Sequence, residues 1–259
     1  MNEGLPRRSS SSAAAATAAV FPGKNKTAPK IRSHGKCFAC ELLLAEVSPE
    51  QRPDFDALVH DRDFAHANVL YRVTAPIDAV YFIQKGAVKL VKAGSDTEQR
   101  IVRVLNAGDV AGIESVFSHA YAHTAIALGD VTVCSIPVAW LRKFAAESGR
   151  TQMWLLQKSL TALNDVETWL AQLAGGSTPA RTRMARLMLQ LRTGDGDYIH
   201  RLAIKEMGAI VGLAPETVCR IISEFDRHGF VVKDSSRTVF SQRYFHGNIP
   251  ALKKIAHEF

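Results

Sequence analysis

The chain is poor in cysteine, with four among 259 residues. Four thiols this scattered cannot staple a disulfide scaffold, so the fold has to rest on a hydrophobic core. A hydrophobic fraction of 47% is enough to build one. A reducing, cytoplasmic setting is expected, in which clustered cysteines signal metal or redox chemistry. No run of eighteen apolar residues occurs, which argues against a helical membrane span. An apolar signal core is also missing from the N-terminus, so no secretory signal is expected. Residues 7 to 20, "RRSSSSAAAATAAV", have the composition of an organellar transit peptide, but Glu3, Pro6 and Pro22 fit a plain disordered tail better. Anionic residues are scarce there too. Up to residue 36, seven Lys and Arg face only Glu3, so most of the formal net charge of +7 sits in the tail. The basic balance is therefore weak evidence for nucleic-acid binding by the rest of the chain.

What is present divides into blocks. "SPEQRPDFDALV" carries a helix-start signal, with Ser48 as N-cap and Pro49 in first position. From 66 to 136, "NVLYRV", "AVYFIQKG", "AVKLVKAG", "EQRIVRVLNAG" and "VTVCSIP" are short β-rich runs, many of them bounded by Gly, Asn or Asp. Such runs without intervening helices predict an antiparallel barrel or jelly roll. From 138 the pattern turns helical. Met153, Leu156, Leu160, Leu163, Leu170 and Leu173 follow steps of three and four, with Val166 filling the gap and Trp169 beside it. A stripe of six turns suits a helix packed on a partner helix, and the plainer alternative is packing on its own barrel. "GGSTP" at 175 to 179 ends this helix.

The most informative stretch is "LAIKEMGAIVGLAPETVCRIISEFDRHGFVVKDSSRTVFSQ", residues 202 to 242. A helix over 204–211, a turn at Gly212-Leu213-Ala214 and a second helix opened by Pro215 make a helix-turn-helix. The second helix buries Val218, Ile221, Ile222 and Phe225. "FVV" and "TVF", joined by "KDSSR", read as a wing. Glu216, Cys219 and Arg220 share one helical face near the N-terminal end, where such helices meet bases, and Pro215 and Thr217 flank them. Arg reads guanine O6 and N7 bidentately and Glu accepts from cytosine N4, so Glu216 and Arg220 suit one G·C pair.

These modules resemble the Crp/Fnr family of bacterial transcription regulators over about residues 50 to 245. "IKEMGAIVGLAPETVCRIISEF" carries the strongest likeness, and "YFIQKGAVKLV…RVLNAGDVAGIESVF" is similar to the family's cyclic-nucleotide-binding-like domain. The resemblance implies an α+β fold in four parts: a disordered basic tail over 1–35, a jelly-roll sensor over 36–148, a dimerisation helix over 149–175 and a winged helix-turn-helix over 176–259. It also implies a homodimer on a palindromic operator, regulating transcription with RNA polymerase as partner. Glu216 and Arg220 occupy the positions that read the TGA core. Pro215 is similar to the Fnr-type branch. Cys219 departs from both branches, since Ser or Gly stands there.

The family resemblance also bears on the signal. The cyclic-AMP branch holds the phosphate with an Arg-Ser pair. Here Glu114 is displaced and no Arg lies between 104 and 141, which disfavours cAMP. Fnr-like members hold a [4Fe–4S] cluster on three N-terminal cysteines and one barrel cysteine. Cys37 and Cys40 in "CFAC" match the close pair, and Cys134 in "VTVCSIP" matches the barrel ligand. Glu46 stands where the third N-terminal cysteine is expected, so His34 or Glu46 is the candidate fourth ligand. Alternatives remain open: a thiol–disulfide switch using the Cys37–Cys40 pair, or a haem, nitric oxide or other small ligand, with His119 and His123 as an i, i+4 pair. A thiol oxidoreductase would need its C-x-x-C at a strand-to-helix turn of a βαβ unit, and none is visible here. A regulatory module that does not bind DNA would not need residues 204 to 240.

Overall fold

The computed structural model describes residues 29–33, 37–93, 99–173, 178–193, 196–232 and 243–257. Its N-terminal part is a two-sheet antiparallel jelly roll. One sheet has the order β1-β2-β9-β4-β7, formed by Lys30–Ser33, His60–Phe64, Val131–Pro137, Ala79–Lys85 and Val110–Ala111. The other has the order β3-β8-β5-β6, formed by Val69–Tyr71, Thr124–Ala127, Val88–Ala93 and Gln99–Leu105. Side chains alternate across a strand, and β4 uses both faces. Tyr81 and Ile83 point between the sheets, into a core with Phe64, Leu70, Leu90 and Val133. Val80 and Phe82 point outwards, into a second core with Cys134 and Ile136 of β9. Helices cover that outer face: α1 (Phe38–Leu44), α2 (Arg52–Leu58) and α3 (Val138–Glu147). A strand covered on both sides can be apolar throughout, which explains the unbroken "AVYFI" run.

Three details differ from the sequence reading. Helix α2 begins at Arg52 with Gln51 as N-cap, not at Ser48, and Pro53 holds the proline-tolerant first turn. Residues 48–51 instead close a turn through Gln51 N–H to Ser48 O. Lys30–Ser33, inside the span read as tail, is an edge strand with all four residues exposed. It is held by pairing to β2 and by an Arg32–Asp63 bridge of 2.9 Å rather than by packing. Strand β2, "HDRDF", has too many charges to read as a strand, yet it pairs with both β1 and β9.

Ser148 leaves the helical region (φ −122°, ψ 107°), and the chain then runs as the long helix α4, Gly149–Leu173. Met153, Leu156, Leu160, Leu163 and Leu170 of the predicted stripe are all more than half exposed, so the helix does not lay them on its own barrel. Leu173 and Trp169 depart from that stripe and are buried in the C-terminal core.

The C-terminal part packs α5 (Ala180–Gln190), α6 (Ile204–Val211), α7 (Pro215–Arg227) and α8 (Ile249–Ala256) with a small sheet ordered β10-β12-β11. These strands are Tyr198–His200, Tyr244–Gly247 and Val231–Val232. The described partner of β11 is β12. The expected wing strand at 238–240 lies outside the described residues. The core of this part also takes in Ala87, Val104 and Leu128 from the jelly roll. Among the described residues, no helix is long and apolar enough to cross a membrane.

Candidate DNA-reading face and cysteine centre

Helices α6 and α7 meet at a tight turn. Gly212 takes the left-handed conformation (φ 64°) that caps α6, and Leu213 N–H returns to Gly208 O at 2.9 Å. A Cβ on Gly208 would lie 2.5 Å from Leu213 O, so only glycine lets the turn close this tightly. Val218, Ile221, Ile222 and Phe225 form the buried face of α7. Glu216, Cys219 and Arg220 are exposed on the opposite side, Pro215 opens the helix, and Thr217 is half-buried. The three polar candidates therefore sit together on an open face, on a helix whose other side is fixed in the core. Arg181 braces that helix from behind, its Nε in an ion pair with Glu224 at 3.2 Å and its guanidinium over the Phe225 and Phe230 rings.

The cysteines converge from distant parts of the chain. Cys37 caps α1, its Sγ accepting the Cys40 N–H at 3.2 Å. Cys40 is one turn on and buried, and its Sγ is 3.1 Å from Sγ of Cys134 on the outward face of β9. All three sulfurs lie within 4.8 Å of one another, and the described cysteines form no disulfide. Hydrogen bonds from Cys37 and Cys40, together with burial, push the Cys134 thiol far up. The Cys134 contact acts to lower Cys40, but the Cys37 contact, burial and the Asp61 charge outweigh it and hold that thiol up as well. Asp61, opposite Cys134 in the strand register, is buried and accepts a 2.7 Å bond from Gln84.

Glu46 is not part of this triangle. Its carboxylate bonds Arg150 at 2.8 Å, with Ser148 also in reach. His34 lies outside the described residues. His119 and His123 stand in an irregular loop, so their spacing has no helical meaning, and His123 faces Glu114 at 3.4 Å.

Two residues that link the parts carried no sequence signal. Arg103, buried on β6, bonds Asp165 at 2.6 Å and the Ala162 carbonyl on α4. It lines an open cleft of about 880 Å³ between the β5–β6 sheet and α4. Lys89 on β5 bonds Glu206 of α6 at 2.5 Å.

Two family models match the chain: the cyclic nucleotide-binding domain over residues 61–148 and the Crp-like helix-turn-helix domain over residues 182–242. The chain belongs to the Crp/Fnr family of transcription regulators. The family consists of regulators rather than enzymes. Among Crp/Fnr relatives, the chain is similar to the transcriptional regulatory protein btr of Bordetella pertussis, with 24% identity over 184 residues, 68% of this chain and 75% of the relative. It is also similar to the transcriptional activator protein anr of Pseudomonas aeruginosa, with 24% identity over 205 residues, 75% of this chain and 84% of the relative. The fold matches that of FixK2 from Bradyrhizobium japonicum, with a TM-score of 0.62 and 23% identity over 76% of this chain and 97% of that one. A Crp-family regulator from Thermus thermophilus matches with a TM-score of 0.58 and 21% identity, over 75% of this chain and 95% of that one.

Proposed function

We propose that this Crp/Fnr regulator works as a homodimer on a TTGA-type palindrome, reads each half-site through Glu216 and Arg220, and answers to oxygen or redox state through Cys37, Cys40 and Cys134. The face of α7 carries the first part of this reading: Glu216, Cys219 and Arg220 are exposed together while the other side of the helix is buried. Dimerisation is supported by the exposed stripe on α4, because apolar side chains in a continuous row at helical spacing are what a partner helix buries. RNA polymerase is the further partner that transcriptional control requires. Cyclic AMP is not the proposed effector, since Arg103 in the cleft is already held by Asp165 and Ala162.

The redox reading rests on the 3.1 Å contact of Cys40 and Cys134, two thiols that need little movement to join. Joining them releases two protons and two electrons to a thiol oxidant. An iron–sulfur centre is the second reading, favoured by the Fnr-like placement of Cys37, Cys40 and Cys134 and by their convergence. The donors suit it in kind, and Cys37, Cys40 and Cys134 would supply three of the usual four thiolates. The described residues add no fourth. The deciding test is DNA binding by Arg220→Ala on a TTGA-containing palindrome. A loss of about 1–3 kcal/mol per half-site, with relaxed preference at one G·C pair, is expected. Unchanged affinity and preference would refute the assignment.

A further inference from the structure

The cysteine centre has a donor set of one kind, three sulfurs, arranged compactly. Bonds of about 2.3 Å to one central atom bring sulfurs to roughly 4 Å from each other. The observed triangle, 3.1 Å on one edge and within 4.8 Å throughout, brackets that value. A four-iron cluster would spread its thiolates over different irons. A single atom bound by all three matches the observed spacing better.

Charge selects the kind of atom. Three thiolates carry three negative charges, so a monovalent ion leaves a complex of −2, a divalent ion −1 and a trivalent centre none. Cys40 and Cys134 lie in one core with Leu43, Val80, Phe82 and Ile136, where net charge is costly. Buried Asp61, opposite Cys134, makes further negative charge less welcome. Cys37 is only partly buried, which leaves the site reachable from one side.

We propose that Cys37, Cys40 and Cys134 form a three-coordinate site for a trivalent thiophilic oxyacid, arsenous acid or its antimony counterpart. The binding step is a condensation. Three As–O bonds break and three As–S bonds form, each S–H proton leaves with a hydroxyl as water, and no electron is transferred. The product is neutral and ties helix α1 to strand β9. Its regulatory meaning rests on the reading of this centre as the place where the regulator receives its signal.

The test uses the reduced full chain with arsenite as probe. After removal of unbound arsenite, one arsenic per chain is expected, together with near-ultraviolet sulfur–arsenic absorption. Maleimide labelling and mass spectrometry then find Cys219 reactive and Cys37 protected. Cys219→Ser retains arsenic. Cys37→Ser, a partly exposed position whose folding is checked by circular dichroism, weakens retention by at least the roughly 10–100-fold that losing a supporting partner costs a metal site. No retained arsenic, loss with Cys219→Ser but not with Cys37→Ser, or displacement by equimolar Cu⁺ or Zn²⁺ would overturn the proposal. A chain that shifts a TTGA palindrome but holds no arsenic sinks the site alone. One that holds arsenic but, arsenic-free, fails to shift DNA sinks the regulator reading alone.

Discussion

His200 should make stability depend on pH between 6.5 and 4. It is 1% exposed on β10, and both ring nitrogens lack a hydrogen-bond partner among the described atoms. The ring packs beside Tyr244, with its centroid 5.0 Å away. The barrel loop residue Gly129 lies close enough that a Cβ there would come within 3.7 Å of the imidazole. Burial, and secondly the neighbouring His66, lower its pKa to about 4 from an ordinary value near 6.5. Between those values the unfolded chain binds a proton that the folded chain refuses, so unfolding free energy falls as pH falls. Above 6.5 both states are neutral and the effect vanishes; below about 4 it is complete. The gap of about 2.5 units corresponds to about 3 kcal/mol. Carboxylates titrate in the same window, so the measurement is a difference: urea unfolding of the native chain and of His200→Leu at steps from pH 7.5 to 4.5. The native chain should lose stability relative to the variant by about 1.36 kcal/mol per unit through the middle of the window. A constant difference across the series would refute the argument.

Gly208→Ala should place a methyl group against the Leu213 carbonyl and cost about 1–3 kcal/mol, read as a lower midpoint in chemical unfolding and as weakened operator binding. Leu160→Glu, on the exposed stripe of α4, should leave secondary structure intact while shifting sedimentation towards the monomer. Alkylation of Cys40 and Cys134 should quicken with rising pH, because both thiols are held protonated at neutrality and only the thiolate reacts. Fast modification of both at pH 7 would contradict this.

The helix-turn-helix could be read from the sequence because its signals are local. Pro215 opens one helix, Gly212 closes the other, and the apolar spacing of α7 needs no knowledge of its partners. The stripe on α4 was visible for the same reason, but Leu173 and Trp169 show the limit of periodicity: it finds an apolar face without saying which neighbour covers it. Strand β2 carries no strand signal because its one apolar residue, Phe64, is buried beside four charged or polar neighbours, and its other buried residue, Asp61, is satisfied by Gln84. The approach of Cys134 to Cys40 spans 94 residues, and nothing in the spacing of either segment encodes it. The misplaced start of α2 came from two prolines competing for one role.

Ala87, Val104 and Leu128 belong by sequence to the jelly roll and by packing to the core beneath helix α7. A chimera that joined the C-terminal helices to a relative's barrel at the end of α4 would leave that core facing foreign side chains at these positions and at Ile101 of β6, which packs against it. The graft would have to carry these barrel positions with it, so the C-terminal part is not a detachable cassette, and the seam between the two parts lies inside the barrel rather than in the connecting segment.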